Sequence, residues 1–416
     1  MIRRGNAADR ATLAQHTRLP TPGPLSGALK LVGISLGVVL VSALAVSAFV
    51  VSDLLGRVGE DAVVLEDAPD VAPPTLGAYP GDQAFSILVV GTDECGERST
   101  ALLGARCSEA DGLSRNDVNL LVHVSAEPRN VTVVSLPRDL MIPVPGCTRE
   151  DGSEAPSMST APLNSVFDHA GLSCVAKAVG DLAGIPIVYA AKISFDGVMA
   201  VTEAIGGVEV CVAGDGIRDE QAGIDLPPGT HEISGPQALA FIRTRHGVGD
   251  ESDLARISNQ QQYMSRLAKK VLSAETLSDV PKVLRLANAI AENIVPSVEL
   301  RDPLRLAQLG LALNDVPFSD FVFVQYPNLD DPDNPGIKVV PNRDAADVLW
   351  AAVKSGQPLQ LTGDVETNDG VELVAPAPPT EPVPSSSAAP VERATLPPDI
   401  SGQNLEQETC SVGNLR

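Results

Sequence analysis

Aromatic side chains are scarce in this chain, at 3% of 416 residues with a single tryptophan. Its core must therefore come from Val, Leu, Ile and Ala, and 44% apolar residues are enough for one large core or two modest ones. An excess of positive charge is also missing. The 30 Lys and Arg stand against 53 Asp and Glu, for a net charge of -23. So acidic a surface repels a phosphate backbone, which excludes a general nucleic-acid binder. The six cysteines form no CxxC pair and have no histidine pair beside them, so their spacing excludes a zinc site. No internal repeat is present.

Basic residues are concentrated at the start. Residues 1–30 hold Arg3, Arg4, Arg10, Arg18 and Lys30 against Asp9 alone, and 22 uncharged residues follow from 31 to 52. As a helix that run would span the ~30 Å of bilayer hydrocarbon. Ala43 and Ala45 offer a small-x-small cleavage site, but the apolar run exceeds the usual h-region of about 7 to 15 residues, which favours an uncleaved single-pass anchor. The basic flank would stay in the cytoplasm, leaving everything after Asp53 outside. An oxidising exterior suits Cys95 with Cys107 and Cys147 with Cys174 as disulfides that bracket loops. Cys211 and Cys410 are left over, either paired or free.

The expected organisation is a cytoplasmic segment 1–30, a transmembrane helix 31–52, an acidic Pro-containing stalk 53–84, a folded domain 85–362 and a disordered Pro-rich tail 363–416. Within the domain, 86–91, 118–125, 131–136, 187–193, 208–212 and 321–325 read as buried strands. Helical patterns fall near 172–183, 196–205, 253–272, 279–294, 303–313 and 343–354. The alternation predicts one layered α-β-α domain of the α/β class around a central mixed sheet.

The most informative stretch runs from Leu239 to Gln262. Ala240, Phe241 and Ile242 read as a short strand, from whose end Arg243 and Arg245 would leave on one side. After a Gly-containing turn, a helix from about Asp253 carries Arg256 and Gln260 at i and i+4. Several guanidinium forks converging on a helix N-terminus make a site for a multiply charged anion such as a pyrophosphate. The competing reading pairs these arginines with Asp250, Glu251 and Asp253. Two aspartates belong beside them: Asp93 directly follows the first strand and Asp117 directly precedes the second. Carboxylates from two adjacent loops are a usual way to hold Mg²⁺, or Mn²⁺, with positions left open. Arg115 precedes Asp117, and Arg138 follows the third strand, next to an Asp139 that could simply tether it.

The blocks VVGTD, SRND, VTVVSLPRDL, LNSVFDHAG, GGVEVCV, DLPPGTHEISGPQALAFIRTRH and DLARISNQQ, in this order, resemble the LytR-CpsA-Psr family of cell-wall glycopolymer ligases. The resemblance covers about 85–273 closely and fades toward 361. It implies a membrane-anchored, extracytoplasmic phosphotransferase that moves a glycopolymer, arabinogalactan or a teichoic-type polymer, from a polyprenyl pyrophosphate carrier to a peptidoglycan hydroxyl. By resemblance, Asp93 and Asp117 hold Mg²⁺, while Arg115, Arg138, Arg243, Arg245, Arg256 and Gln260 bind the pyrophosphate, and the lipid enters an apolar cavity. Asp117 or Asp93 could serve as base. Here Asn116 and Val118 replace the Ser and Thr of the usual Arg-Ser-Asp-Thr, and Asn164 lacks the typical pattern after it. The same residues would also suit a lipid-pyrophosphate phosphatase, or a non-catalytic receptor for a lipid-linked glycan.

Overall fold

The computed structural model describes residues 61–104, 107, 114–363, 365, 370–374 and 392–414. The predicted membrane span lies outside them, and among the described residues no helix is long and apolar enough to cross a membrane. In chain order the elements that matter here are β1 (Phe85–Thr92), α1 (Glu97–Leu103), β2 (Asn116–Val124), β3 (Val131–Leu136), α2 (Val166–Ala183), β4 (Tyr189–Ile193), α3 (Phe195–Ala204), β5 (Val208–Gly214), β6 (Gly229–Ile233), α4 (Gly235–Arg243) and α5 (Asp253–Leu272). They continue with α6 (Val280–Asn293), β7 (Ile294–Pro296), α7 (Pro303–Leu313), β8 (Phe321–Gln325), α8 (Arg343–Ser355), β9 (Val371–Leu373), β10 (Gly402–Asn404) and β11 (Thr409–Gly413).

Seven strands form the central mixed sheet, in the order β7-β4-β1-β2-β3-β8-β10. The apolar alternation sorts its two faces. Leu88, Val90, Leu121, Val134 and Val324 pack with α2 and α8, whereas Phe85, Val124, Val133 and Phe323 pack with α5 and α7. Each fully buried Val or Leu of this kind contributes about 1.5–3 kcal/mol. The expected layered α-β-α arrangement is thus present. A second core surrounds a separate four-stranded sheet, β6-β5-β11-β9, which the sequence reading did not include.

Three expectations are corrected. The first is that residues 240–242 form a strand. They end helix α4, which has a Pro in its first turn after Ser234, and Ala238, Leu239, Phe241 and Ile242 are all buried in it. A run of three apolar residues cannot distinguish the two periods. The second is the stalk, because its described part packs on the domain. Val63 N–H donates to the Pro296 carbonyl, and Leu65 and Tyr79 are buried, with Tyr79 4.7 Å from the Phe85 ring. The third is the tail. Residues 375–391 lie outside the description, but β10 closes one edge of the central sheet and β11 joins the second sheet through a Cys211–Cys410 disulfide. Cys95–Cys107 and Cys147–Cys174 also form the expected disulfides.

Candidate functional site

Strand register brings the expected residues to one edge of the sheet. Thr92 pairs with Asn116, Asn119 with Leu136 and Gly91 with Ile193. The end of β1, the start of β2 and the ends of β3 and β4 therefore open on the same side. A register shift between Gly91 and Thr92 ends the β1–β2 ladder just before Asp93. Asp93 and Arg115 then bridge the two strands, Asp93 N–H donating to the Arg115 carbonyl at 3.1 Å and Arg115 N–H to Asp93 Oδ1 at 2.7 Å.

Arg138 reaches across this edge. Its Nη1 is 3.0 Å from Asp117 Oδ1, and its Nε is 3.4 Å from carboxylate oxygens of both Asp139 and Asp253. Burial disfavours the charged guanidinium, but Asp117, Asp253 and Asp139 together raise its pKa above the ordinary value. Asp139 has a tethering role as well, since it also holds Lys338 at 2.6 Å.

Helix α5 enters from above. Ser252 caps it, accepting from Ala255 N–H, and Asp253 and Arg256 pair at 2.6 Å across its first turn. Arg256 is 7% exposed, and its Nε has no hydrogen-bond partner. Burial lowers its pKa, with Arg138 and Arg245 acting in the same direction and Asp253 and Asp117 opposing them. Three arginines thus share one electrostatic neighbourhood. Arg243, at the end of α4, has its guanidinium 5.0 Å from the Phe195 ring, and Gln260 donates to the Ile242 carbonyl at 2.8 Å, tying α5 to α4.

Asp117, Arg243, Arg256 and Gln260 line one small cavity of ≈ 50 Å³. Its other walls include Val118, Ile193, Phe195, Val198 and Ile242, so charged and apolar side chains share the lining. Arg245 lies on the adjoining loop, its Nε donating to the Glu251 carbonyl at 2.9 Å. Arg115 is exposed and meets Asp93 through its backbone. His246 stands 3.4 Å from Glu251. The pairing of the arginine stretch with its own acids occurs too, through Asp253 with Arg256.

One residue was invisible in the sequence. Asp219 Oδ2 accepts from Thr244 Oγ1 and from the N–H groups of Arg245 and His246, while its Oδ1 accepts from Gln221 and Ala222. It anchors the loop that carries Arg245, and nothing local in its sequence marks it.

Among the described residues no three His, Cys, Asp or Glu side chains group as a metal site. Asp93 and Asp117 do, however, fit a cation that keeps its other positions for water and phosphate. The Asp93 pKa is raised, first by burial and further by the Asp117 charge, with the Arg115 N–H opposing. A divalent cation held by the two carboxylates would relieve that conflict.

The chain matches the LytR_cpsA_psr family over residues 66–354. It is 30% identical over 237 residues to the cell wall biosynthesis protein LcpA of Corynebacterium glutamicum, covering 51% of this chain and 45% of that one. It is 25% identical over 242 residues to the polyisoprenyl-teichoic acid–peptidoglycan teichoic acid transferase TagT of Bacillus subtilis, covering 57% and 67%. The match spans about half the length of LcpA and two thirds of that of TagT. The crystal structure of gbs0355 from Streptococcus agalactiae shares the fold, with a TM-score of 0.51 and 22% identity over 66% of this chain and 88% of that one. With the family match covering well over half of the chain, the chain belongs to the LytR_cpsA_psr family.

Proposed function

We propose that the protein is a membrane-anchored, extracytoplasmic phosphotransferase that moves a glycopolymer from a polyprenyl pyrophosphate carrier to a peptidoglycan hydroxyl. The observation that carries this reading is that Asp117, paired with Arg138, shares one cavity with Arg243, Arg256 and Gln260 and with the apolar Val118, Ile193, Phe195, Val198 and Ile242. In an acidic protein this cationic focus suits a pyrophosphate whose far side is a hydrocarbon. The relative TagT is by name a transferase of teichoic acid from a polyisoprenyl carrier to peptidoglycan. Three disulfides suit an oxidising exterior.

Transfer of this kind depends on positioning and charge neutralisation more than on covalent catalysis. The acceptor hydroxyl oxygen bonds to the phosphorus nearest the glycopolymer as the bond from that phosphorus to the bridging oxygen breaks. Polyprenyl phosphate leaves, and the hydroxyl proton passes to a carboxylate of the site. Arg138, Arg243, Arg245 and Arg256 hold the phosphate oxygens through the change. Asp93 and Asp117 would hold Mg²⁺, which supplies further neutralisation when bound. A cavity of ≈ 50 Å³ is far smaller than a prenyl chain, so the lipid would extend beyond it.

The test uses the full chain in detergent with a polyprenyl-pyrophosphate oligosaccharide, peptidoglycan fragments and Mg²⁺, and follows polyprenyl phosphate release. Release that requires the acceptor, and that Arg256→Ala and Asp117→Ala abolish, supports the transferase. Release without acceptor indicates a phosphatase, and binding without release a receptor.

A further inference from the structure

The family match ends at residue 354, yet the last described segment reaches the arginine site. β11 runs parallel to β5, pairing Ser411 with Val212 and Gly413 with Gly214, and Cys410 is bonded to Cys211 from 199 residues away. From there it meets both elements that carry arginines. On the loop after α4, Gly249 N–H donates to the Val412 carbonyl at 3.0 Å and Asn414 N–H to the Gly247 carbonyl at 3.3 Å. Asn414 Nδ2 donates to the Gly249 carbonyl at 2.6 Å. On α5, Ser411 Oγ donates to Asn259 Oδ1 at 2.5 Å, and Asn259 Nδ2 donates in turn to the Phe241 carbonyl at 2.8 Å. Gln262 and Arg266 both donate to the Thr409 carbonyl. Ser411 and Asn259 are fully buried.

These bonds are concentrated where the site needs support. Arg245 and Arg256 carry like charges, and each resists the approach of the other. The loop between them contains Gly247 and Gly249, and a Glu251 in the left-handed region at φ 68, so its own conformational preferences do not fix it. β11 also approaches very closely, since a Cβ on Gly413 would collide with the Gly216 carbonyl.

We propose that β11 and Asn414 are a positioning element for the anion site, holding residues 247–249 so that Arg245 stays in register with Arg256. Asn414 is a positioning residue that acts through the Gly249 carbonyl, and the Cys211–Cys410 disulfide keeps the segment in place. The ligand in this proposal rests on the pyrophosphate reading above, whereas the mechanical coupling does not.

The test compares the full chain in detergent with Asn414→Ala, Asn414→Gln, the Cys211→Ser/Cys410→Ser pair and, as a control, the Cys147→Ser/Cys174→Ser pair. Amide hydrogen exchange is followed over residues 244–252, and inorganic pyrophosphate affinity is measured by calorimetry. Losing one well-placed hydrogen bond should speed exchange there and weaken pyrophosphate binding, each by about tenfold. Asn414→Gln, which keeps the donor, should recover part of both, and the Cys211/Cys410 variant should exceed Asn414→Ala. The control should lower the melting temperature while leaving affinity unchanged. Unchanged exchange over 244–252 in Asn414→Ala overturns the proposal, as does faster exchange with wild-type affinity. A wild-type chain that binds no pyrophosphate would instead remove the anion reading, and exchange would still decide the coupling.

Discussion

Arg138 Nη1 lies 3.0 Å from Asp117 Oδ1 while its Nε faces Asp253 Oδ1 at 3.4 Å, so one guanidinium joins a carboxylate of the sheet edge to one on the first turn of α5. Asp117 and Asp253 neutralise the guanidinium groups that a pyrophosphate would have to contact. On the proposed reading, pyrophosphate binding would exchange partners on Arg138 and Arg256.

Such an exchange would couple Arg138 and Asp117 energetically. Arg138→Gln should weaken pyrophosphate binding by at least about tenfold, because a charge-assisted contact is lost and Asp117 is left without its counter-ion. Asp117→Asn should remove part of that penalty when combined with it. The double variant is thus expected to depart from additivity by about 0.5–3 kcal/mol in a calorimetric cycle. Additive effects would mean that the two side chains do not share the ligand.

Arg256 offers a sharper discrimination through pH. It is buried and its pKa is already lowered, mainly by that burial, yet a guanidinium starts so high that it stays charged. A lysine in the same place starts lower and is pushed down further. Arg256→Lys should bind pyrophosphate weakly near pH 7 and lose more affinity as pH rises toward about 9, while the wild type stays flat over that range. Parallel profiles for the two proteins would place residue 256 outside the anion's reach.

Legibility in the sequence followed the range of the interactions. β1, β2, β3 and β8 were readable because little of either face is exposed, leaving short runs rich in Val, Leu, Ile and Phe. Asp93, Asp117 and Arg138 were readable because strand ends place them without reference to any distant partner. The segment Ala240–Ile242 was misread because its start signal, Ser234-Gly235-Pro236, lies outside the short apolar run. β11 was missed for another reason. Thr409 to Gly413 is short and mostly polar, and only pairing with β9 and with β5, some 199 residues away, makes it a strand. Asp219 was invisible because its function consists of bonds to residues 25 to 27 positions later.

Asp93 should report the metal without any assay of transfer. Its folded pKa is raised above the ordinary 3.8, so the folded chain binds a proton that the unfolded chain has released. The stability it contributes is full below that ordinary value and is lost as pH rises through the folded value. At neutral pH the charged side chain is a net liability, so Asp93→Asn should melt higher than the wild type at pH 7 and no higher at about pH 3. Millimolar Mg²⁺ should raise the wild-type melting temperature and leave Asp93→Asn unmoved. A wild-type melting temperature indifferent to about 10 mM Mg²⁺ would remove the cation from this pair of aspartates.

Asp219 behaves with the opposite sign. Burial raises its pKa, but the N–H groups of Ala222, Arg245 and His246 and the Thr244 hydroxyl outweigh burial and bring it below 3.8. The stabilisation is therefore present above that ordinary value and is lost as pH falls through the folded value. Asp219→Asn must turn an amide NH₂ toward donors on one side or the other. With the residue 3% exposed, that mismatch should cost about 1–3 kcal/mol at pH 7. The difference from wild type should shrink below pH 3.8, where the wild-type carboxylate is itself being protonated. Because Asp219 receives the N–H of Arg245, the variant should also bind pyrophosphate more weakly at temperatures where it is fully folded. Urea titrations at several pH values, paired with calorimetry at pH 7, separate the two effects. A stability loss with wild-type affinity would confine Asp219 to holding the fold, and unchanged stability would mean that its hydrogen bonds are replaced by water at no cost.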